Sequence, residues 1–419
     1  MKLPGVPAAL WTALREAAGT ERIALVGGAV RDWLLHHQHL DPWRGLVDLD
    51  LVIEAPEGAS GSRQASGAGP AMGSARRPGG PSPAWRLVER LSSRAAGVTV
   101  REARPHGQYG TVELELELDV DPPAAEGATA EGLSAEGGNS APVRLLLDVA
   151  SARGEVYPVP ADNPVVTFGG LDDDLARRDL TINAMAIDLA TGTLLDPHGG
   201  AVDLEHRLLR FLHPGSLRDD PTRLLRAARY GARLGFALAP DSREQAARTL
   251  AAWPWPWRPG DPPAQAPAAL GTRLRRELEL LLEQEDWRLA LARLQEWGGL
   301  GLLDPALQAD SCWPRRLRWA ERLHLPLVVA LLAAAADPLA LAERLQLPHR
   351  HHKLLAQFLT LRQALRRERE GGAPAAAEGG GRTARGQDTP WTWCERLEAQ
   401  GVSPPAVALA LACGLGPRR

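Results

Sequence analysis

The stretch that decides the fold is LVDLDLVI at residues 46–53, where two carboxylates, Asp48 and Asp50, interrupt an aliphatic run. The run predicts a β-strand, and successive side chains of a strand point to opposite faces. Asp48 and Asp50 therefore share one face, while Leu49 and Leu51 point into the core. A buried charge is costly unless it is paired or coordinated, so the acidic face requires an explanation.

A same-face pair of carboxylates can hold two divalent metal ions about 4 Å apart. That geometry suits in-line phosphoryl or nucleotidyl transfer, in which one metal activates the attacking oxygen and the other stabilises the leaving pyrophosphate. The alternative is an edge strand with a solvated polar face. An Asp-x-Asp pattern is common, and alone it does not decide between the two interpretations.

A second feature lies roughly twenty residues upstream. ERIALVGG at 21–28 predicts a strand that ends in the Gly27-Gly28 turn, and AVRDWLLHH predicts the helix that follows. Glycine lets backbone N–H groups approach a phosphate, a helix N-terminus favours an anion, and Arg31 adds a charged donor. An ordinary strand–turn–helix is the alternative. The turn and the acidic pair together provide both halves of a nucleoside-triphosphate site.

Composition excludes several classes of protein. The chain of 419 residues has three cysteines and no Cys-x-x-Cys pair, which argues against a disulfide framework or a zinc site. No segment reaches the roughly 18 consecutive apolar residues of a membrane span, so we expect no membrane partner and a cytoplasmic location. The sequence predicts no oligomeric state.

The charge distribution is uneven. The net charge of −3 is not typical of a nucleic-acid binder, but residues 305–370 carry 11 Lys and Arg against 6 Asp and Glu. A local phosphate-binding surface and an Arg-biased set of solvated helices both explain this region, and composition leaves the two open.

Element types change along the chain. Strand and helix patterns alternate up to about residue 200 and are followed by nearly continuous helical patterns, which predicts a small head with an extended helical remainder. Segments rich in Gly, Ala, Ser and Pro predict loops that bury no core; they are 55–84, 121–143, 253–268 and 369–387.

VGGAVRDWLL, followed by DLDLV, resembles the first motif of class II tRNA nucleotidyltransferases and bacterial poly(A) polymerases, in the polymerase-β-type nucleotidyltransferase superfamily. Four more stretches resemble later motifs in the same order, the last only weakly: RRDLTINAMAID (177–188), DPHGGAVDLEHRLLR (196–210), DDPTRLLRAARYGARLGF (219–236) and GTRLRRELELLL (271–282).

This resemblance to the family implies a fold and a domain organisation. The fold is α+β, with a small mixed-sheet head and an all-α neck, body and tail. The implied domains are 1–195 (head, with insertions near 55–84 and 121–143), 196–300 (neck, nucleotide recognition) and 301–419 (body and tail, tRNA binding).

The resemblance also assigns roles to residues of the head. Asp48 and Asp50 become the catalytic Mg²⁺ ligands. The implied nucleotide contacts are Gly27, Gly28, Arg31, Arg178, Asp179 and Asn183. Asp179 and Asn183 are four residues apart, which predicts a shared helix face. Asp148 is a candidate third carboxylate, and a core-edge Asp is the alternative.

In the neck, Asp220 and Arg223 are expected to read the base. Cytosine and adenine both place an amino donor beside a ring-nitrogen acceptor, so a carboxylate next to a guanidinium accepts C and A and rejects G and U. Arg226 and Arg229 continue that helix towards phosphate or ribose. The alternative is that Asp220 only caps the helix ahead of a proline. Asp219 stands where the family usually has Glu.

The implied activity is template-independent addition of C and/or A to the tRNA 3′ end from CTP and ATP, with release of pyrophosphate. Addition of CCA, of CC only or of A only stays open, as does poly(A) polymerase activity. A catalytically silent RNA-binding protein is the non-enzymatic alternative. The helical body is expected to hold the tRNA acceptor arm through its phosphates.

Overall fold

The computed structural model describes residues 3–45, 49–54, 82–94, 97–106, 110–118, 143–370 and 401–415. Asp48 lies outside these residues. So do the predicted loops 55–84, 121–143 and 369–387, except at their ends. The chain divides into two compact units, one formed by Met1–Pro158 and Pro164–His213 and the other by Val159–Asn163 and Pro214–Arg419. The predicted domain boundaries stay predictions.

The first unit is built around a mixed sheet. Its elements are α1 (Ala8–Ala18), β1 (Ile23–Val26), α2 (Gly28–Gln38), β2 (Leu49–Ile53), α3 (Pro83–Arg94), β3 (Val98–His106), β4 (Thr111–Leu118), β5 (Val143–Ser151), β6 (Arg153–Val156), β7 (Val165–Phe168), α4 (Leu171–Ala176), β8 (Ala186–Asp188), β9 (Leu194–Leu195), α5 (Gly200–Glu205) and β10 (Leu208–Leu209). The seven-stranded sheet has the order β3-β4-β5-β2-β1-β8-β9. Strands β2 and β5 run parallel, and the other neighbouring strands are antiparallel.

Alternation decides which face of this sheet is buried. Along β4, Val112, Leu114, Leu116 and Leu118 are buried, and the glutamates between them are only half-buried. The buried side chains Leu49 and Leu51 of β2 lie on the same core face, as the sequence predicted. The opposite face carries the polar residues of β2, β5 and β4.

Helix α4 covers part of that opposite face. Its side chains Leu171 and Leu175 pack with Val52 of β2 and with Ala24 and Val26 of β1. The sheet face that carries Asp50 is therefore not fully exposed to solvent, because α4 covers the neighbouring residues of that face. The residues that follow α4 belong to the RRDLTINAMAID motif.

The motif DPHGGAVDLEHRLLR contains a Gly-Gly pair at 199–200 that the packing of α5 requires. Gly199 is left-handed, with φ of 73°, and Gly200 begins α5. A Cβ atom on Gly200 would lie 2.9 Å from both the Thr181 carbonyl carbon and Met185 Cγ. Helix α5 therefore contacts the turn at Thr181 closely only because position 200 has no side chain.

We expect Gly200→Ala to destabilise the first unit by about 1–3 kcal/mol, because the added methyl group forces the backbone at Thr181 to move. Gly154→Ala is the matched control, since a Cβ atom there meets its neighbours at an ordinary 3.7 Å. Urea denaturation of the two variants measures the difference. Equal stability of the two variants would contradict the packing explanation.

The second unit is helical, as predicted. Its elements are α6 (Ser216–Asp219), α7 (Thr222–Leu234), β11 (Ala237–Leu238), α8 (Pro240–Ala252), α9 (Thr272–Gln284), α10 (Trp287–Glu296), α11 (Pro305–Ala309), α12 (Trp313–Arg322), α13 (Leu327–Leu332), α14 (Pro338–Arg344), α15 (His349–Glu370) and α16 (Pro404–Ala412). With the mixed sheet of the first unit, these helices confirm the α+β fold class. Across the described residues, no helix combines the length and the apolar character that a membrane crossing requires.

The prediction that 253–268 buries no core is wrong. Trp255 and Trp257 are only 4% and 5% exposed. Their indole N–H groups donate to the carbonyls of Arg218 at 3.0 Å and Pro262 at 3.1 Å, and the Arg344 guanidinium stacks on the Trp257 ring. Proline and glycine content suggested a loop, but the buried area of the tryptophan rings fixes the segment in place.

Candidate active site

Asp50 lies in a row of carboxylates that crosses three strands. The parallel register of β2 and β5 places Asp50 opposite Asp148, and Asp148 is opposite Glu113 of β4. Register partners on neighbouring strands lie about 5 Å apart and share a face. All three residues are half-buried. Asp148 therefore lies beside Asp50, and its role as a third carboxylate stays a prediction.

Gly27 lies between Asp50 and a guanidinium from the motif after α4. Its φ is +70°, and a Cβ atom there would lie 3.3 Å from Asp50 Oδ2 and 3.0 Å from Arg178 Nη1. Glycine is needed both for the backbone conformation and for the close approach of the two side chains. The structure thus brings Asp50, Gly27 and Arg178 together. Gly28 is the first residue of α2.

Arg31 is buried and belongs to a polar network. Its Nε donates to Asp32 at 2.8 Å, and its Nη1 donates to Asn183 Oδ1 at 2.7 Å. Asn183 in turn donates from Nδ2 to Asp179 Oδ1 at 3.1 Å. These bonds orient Arg31 through protein partners, and its predicted contact with a phosphate stays a prediction.

The helix predicted to carry Asp179 and Asn183 is absent. Thr181–Asn183 forms a 3₁₀ turn, and Asp179 precedes it. The Asp179 carboxylate also accepts from the backbone N–H of Leu180 at 2.8 Å. The predicted proximity of the two side chains is correct, although a turn rather than a helix produces it.

Asp174, for which the sequence predicted no role, holds both arginines of the RRD motif. Its side chain is fully buried. Oδ1 accepts from Arg177 Nη2 at 2.6 Å, and Oδ2 accepts from Arg178 Nη2 at 2.9 Å. Arg178 Nη1 also donates to the Asn183 carbonyl at 3.2 Å. Asp174 thereby fixes the guanidinium that lies beside Gly27.

The charge of Asp174 is stabilised by its partners. Burial by itself would raise the pKa of Asp174, but the guanidinium groups of Arg178 and Arg177 outweigh burial and hold that pKa below its ordinary value of 3.8. The spacing of Asp174 from the two arginines could have predicted this contact. An acid that lies three residues before one arginine and four before another can reach both, because residues with this spacing share one face of a helical turn.

The donor chemistry of the acidic row fits a hard cation. Carboxylate oxygens are the ligands that Mg²⁺ prefers, and Asp50 and Asp148 present them from adjacent strands. Within the described ranges, which omit Asp48, no three His, Cys, Asp or Glu side chains form a metal-binding group. Asp50 and Asp148 are thus two neighbouring carboxylates that could hold such an ion, and their role as metal ligands stays a prediction.

In the second unit, Asp220 precedes α7, which begins at Thr222. Its Oδ1 accepts from the Thr222 backbone N–H at 3.0 Å and from the Thr222 hydroxyl at 2.6 Å. Asp220 thus caps the first turn of the helix with its side chain. Asp220 and Arg223 lie one turn apart, since the Arg223 backbone N–H donates to the Asp220 carbonyl at 3.2 Å. Arg223 is inside α7, where it is 4% exposed, and the base-reading role of the two residues stays a prediction.

Arg226 and Arg229 have protein partners on α9. Both donate to the carboxylate of Glu277, at 3.1 and 2.6 Å respectively, and Arg229 lies 3.6 Å from Glu285. Their predicted contact with phosphate or ribose stays a prediction. In this structure these two arginines bind α7 to α9.

Comparisons with known proteins agree with this arrangement. Residues 125–210 match the family profile described as the poly(A) polymerase head domain. A CC-adding tRNA nucleotidyltransferase from Deinococcus radiodurans is 34% identical over 356 residues, which cover 83% of this chain and 72% of that protein. An A-adding tRNA nucleotidyltransferase from Aquifex aeolicus is 48% identical over 99 residues, 23% of this chain and 12% of that protein.

Solved structures show the same fold. An apo CCA-adding enzyme superposes with a TM-score of 0.60 at 22% identity, over 97% of this chain and 80% of that one. The Thermotoga maritima CCA-adding enzyme complexed with tRNA gives a TM-score of 0.58 at 21% identity, over 99% of this chain and 80% of that one.

A mixed-sheet head with an acidic strand beside a glycine turn defines a nucleotidyltransferase. With a relative 34% identical over most of both chains, this chain belongs to the class II tRNA nucleotidyltransferase family.

We expect Asp174→Asn to destabilise the first unit by about 3 kcal/mol at neutral pH, because the half-buried guanidinium of Arg178 loses its counter-charge and that of Arg177 keeps Glu155 as its acidic partner. The folded-state pKa of Asp174 is depressed, so its contribution is present above the ordinary value of 3.8 and disappears as the pH falls through the folded-state pKa. Urea denaturation at several pH values should show the gap between wild type and variant closing below pH 3.8.

Asp172→Asn is the matched control. Asp172 lies on the same helix, in its first turn, and is exposed. Its replacement should cost less than about 1 kcal/mol. Equal losses from both variants would contradict a special role for the buried carboxylate.

Proposed function

We propose that the protein adds C and/or A to the 3′ end of tRNA from CTP and ATP and releases pyrophosphate. The observation that carries the proposal is the convergence of Asp50 and Arg178 on Gly27. A carboxylate, a glycine turn that opens a helix and a guanidinium are the components that a metal-bound triphosphate requires. Family membership supports transfer of a nucleotide over simple phosphate binding.

Within the head, the residues of the site divide between binding the triphosphate, holding the metal ion and orienting the arginines. The backbone N–H of Gly28, at the start of α2, holds a triphosphate oxygen, and Arg178 neutralises its charge. Gly27, whose own N–H donates to the Met185 carbonyl at 3.3 Å, leaves room for that oxygen because it has no side chain. Asp50, with Asp48 and Asp148, would hold Mg²⁺, which would supply Lewis-acid activation of the 3′-hydroxyl and stabilise pyrophosphate. Asp174 keeps Arg178 in position, and Asn183 and Asp179 orient Arg31.

Base selection is assigned to Asp220 and Arg223. An ionised carboxylate only accepts hydrogen bonds and a guanidinium only donates them, so together they match the amino group and ring nitrogen of cytosine or adenine. Guanine and uracil present the opposite order. The helical region at 305–370, with its excess of arginine, is proposed to bind the phosphates of the acceptor arm.

Addition of CC alone is the version of this function that we favour. A relative that matches over most of the chain is a CC-adding protein, whereas the A-adding protein of Aquifex aeolicus matches over only 99 residues. Such an enzyme would stop after two cytidines, and a separate enzyme would add the adenosine.

Three tRNA substrates decide between these activities: one ending at the discriminator base, one at C and one at CC. Each is incubated with Mg²⁺ and either CTP or ATP, and product lengths are read on a sequencing gel. We expect two nucleotides added from CTP to the first tRNA and none from ATP to the third. Addition of A to the third tRNA would indicate a complete CCA-adding enzyme, and a long A tract would indicate a poly(A) polymerase. Binding of tRNA without release of pyrophosphate would overturn the proposed transfer.

We expect Asp50→Asn to lower CTP incorporation on the order of 10³-fold, because a metal ligand contributes several kcal/mol to transition-state stabilisation. Binding of tRNA, measured by gel shift, should be unchanged. Glu115→Gln is the control, since Glu115 is a carboxylate of the same sheet face whose pairing with Arg144 at 3.9 Å is a weak surface contact. Near-normal turnover of Asp50→Asn would contradict the metal assignment.

A further inference from the structure

The carboxylate of Asp220 is held by a residue from another helix. We propose that Arg273 of α9 is a positioning residue for nucleotide selection, and that it acts by fixing the Asp220 carboxylate as a hydrogen-bond acceptor. The inference rests on the proposed function, because it concerns the residue assigned above to base recognition.

The contacts of Asp220 leave its carboxylate little freedom. Oδ1 accepts two hydrogen bonds from Thr222, and Oδ2 accepts one from Arg273 Nη2. The Asp220 side chain is 14% exposed and that of Arg273 is 28% exposed, so this ion pair is shielded from water on most sides. Each carboxylate oxygen has about two acceptor sites, and Oδ2 has one engaged by Arg273.

Arg273 itself has a second anchor. Its Nη1 lies 3.4 Å from the Asp162 carbonyl oxygen, within the segment Val159–Asn163 that belongs to the same compact unit. A guanidinium that contacts two acceptors with a planar fork has a fixed orientation. Arg273 can therefore fix the plane of the carboxylate as well as neutralise its charge.

The orientation and charge of Asp220 are what selection requires. An ionised carboxylate accepts the amino hydrogens of cytosine or adenine and cannot donate to the carbonyl oxygen of uracil or guanine. A carboxylate that rotates freely no longer presents its acceptor oxygen at one fixed place. Fixing the acceptor in place raises the cost of the wrong base, since buried polar groups would be left unpaired.

The packing of α9 against α7 does not depend on Arg273 alone. Glu277 of α9 pairs with Arg226 and Arg229, and Glu285 pairs with Arg233. Leu274, Leu278 and Leu281 on α9 are fully buried. Removal of the Arg273 guanidinium therefore leaves most contacts of this helix intact, and selection can be tested apart from folding.

The experiment uses the full chain with Arg273→Gln and a matched control, Arg276→Gln. Arg276 lies one turn further along α9 and is exposed. We measure kcat/KM for CTP, ATP, UTP and GTP on a tRNA that ends at the discriminator base. Arg273→Gln should lower the preference for CTP over UTP at least about tenfold, while Arg276→Gln keeps the wild-type ratio. Asp220→Asn, whose amide can donate, should relax the ratio in the same direction.

Arg273→Lys keeps the experiment decisive if the glutamine variant does not fold. A lysine retains the charge but not the fork, so its selectivity should lie between those of wild type and Asp220→Asn. A uniform loss of kcat/KM for all four nucleotides, with the ratio unchanged, would show that Arg273 only packs the helices and would overturn this inference alone. A wild-type protein that transfers no nucleotide would overturn the proposed function and this inference with it.

Discussion

The site depends on the absence of a side chain at Gly27. Asp50 and Arg178 approach that position to within 3.3 and 3.0 Å of where a Cβ atom would be. Any other residue would separate the carboxylate from the guanidinium and would also strain a backbone with φ of +70°. Gly27, between strand β1 and helix α2, therefore sets the distance between Asp50 on the acidic strand β2 and Arg178 in the loop after α4.

Buried acids orient the arginines of both units. Asp174 holds Arg177 and Arg178 in the first unit, and Glu277 holds Arg226 and Arg229 in the second. Arginine suits this role because its planar fork can satisfy one partner and still present donors to another. The pattern implies that these arginines are oriented before any substrate binds, which would reduce the ordering that binding must supply.

Much of this arrangement could be predicted from the sequence. The period-two strand at β4, the acidic strand at β2 and the glycine turn follow from local patterns, and the structure has each of them. Long-range partners could not be predicted in this way, because no pattern in one segment identifies a residue in another. Arg273 and Glu277 belong to a motif that the sequence matched only weakly, yet their side chains hold those of Asp220, Arg226 and Arg229.

The parallel pairing of β2 with β5 affects the order in which the molecule folds. Asp50 finds its neighbour Asp148 roughly a hundred residues further along the chain, and closing so large a loop is slow compared with forming local contacts. The two acids become neighbours only after the intervening strands β3 and β4 have been synthesised. Their mutual repulsion is thus absent until β5 pairs with β2, and a nascent chain that ends before residue 143 carries only part of the negative face.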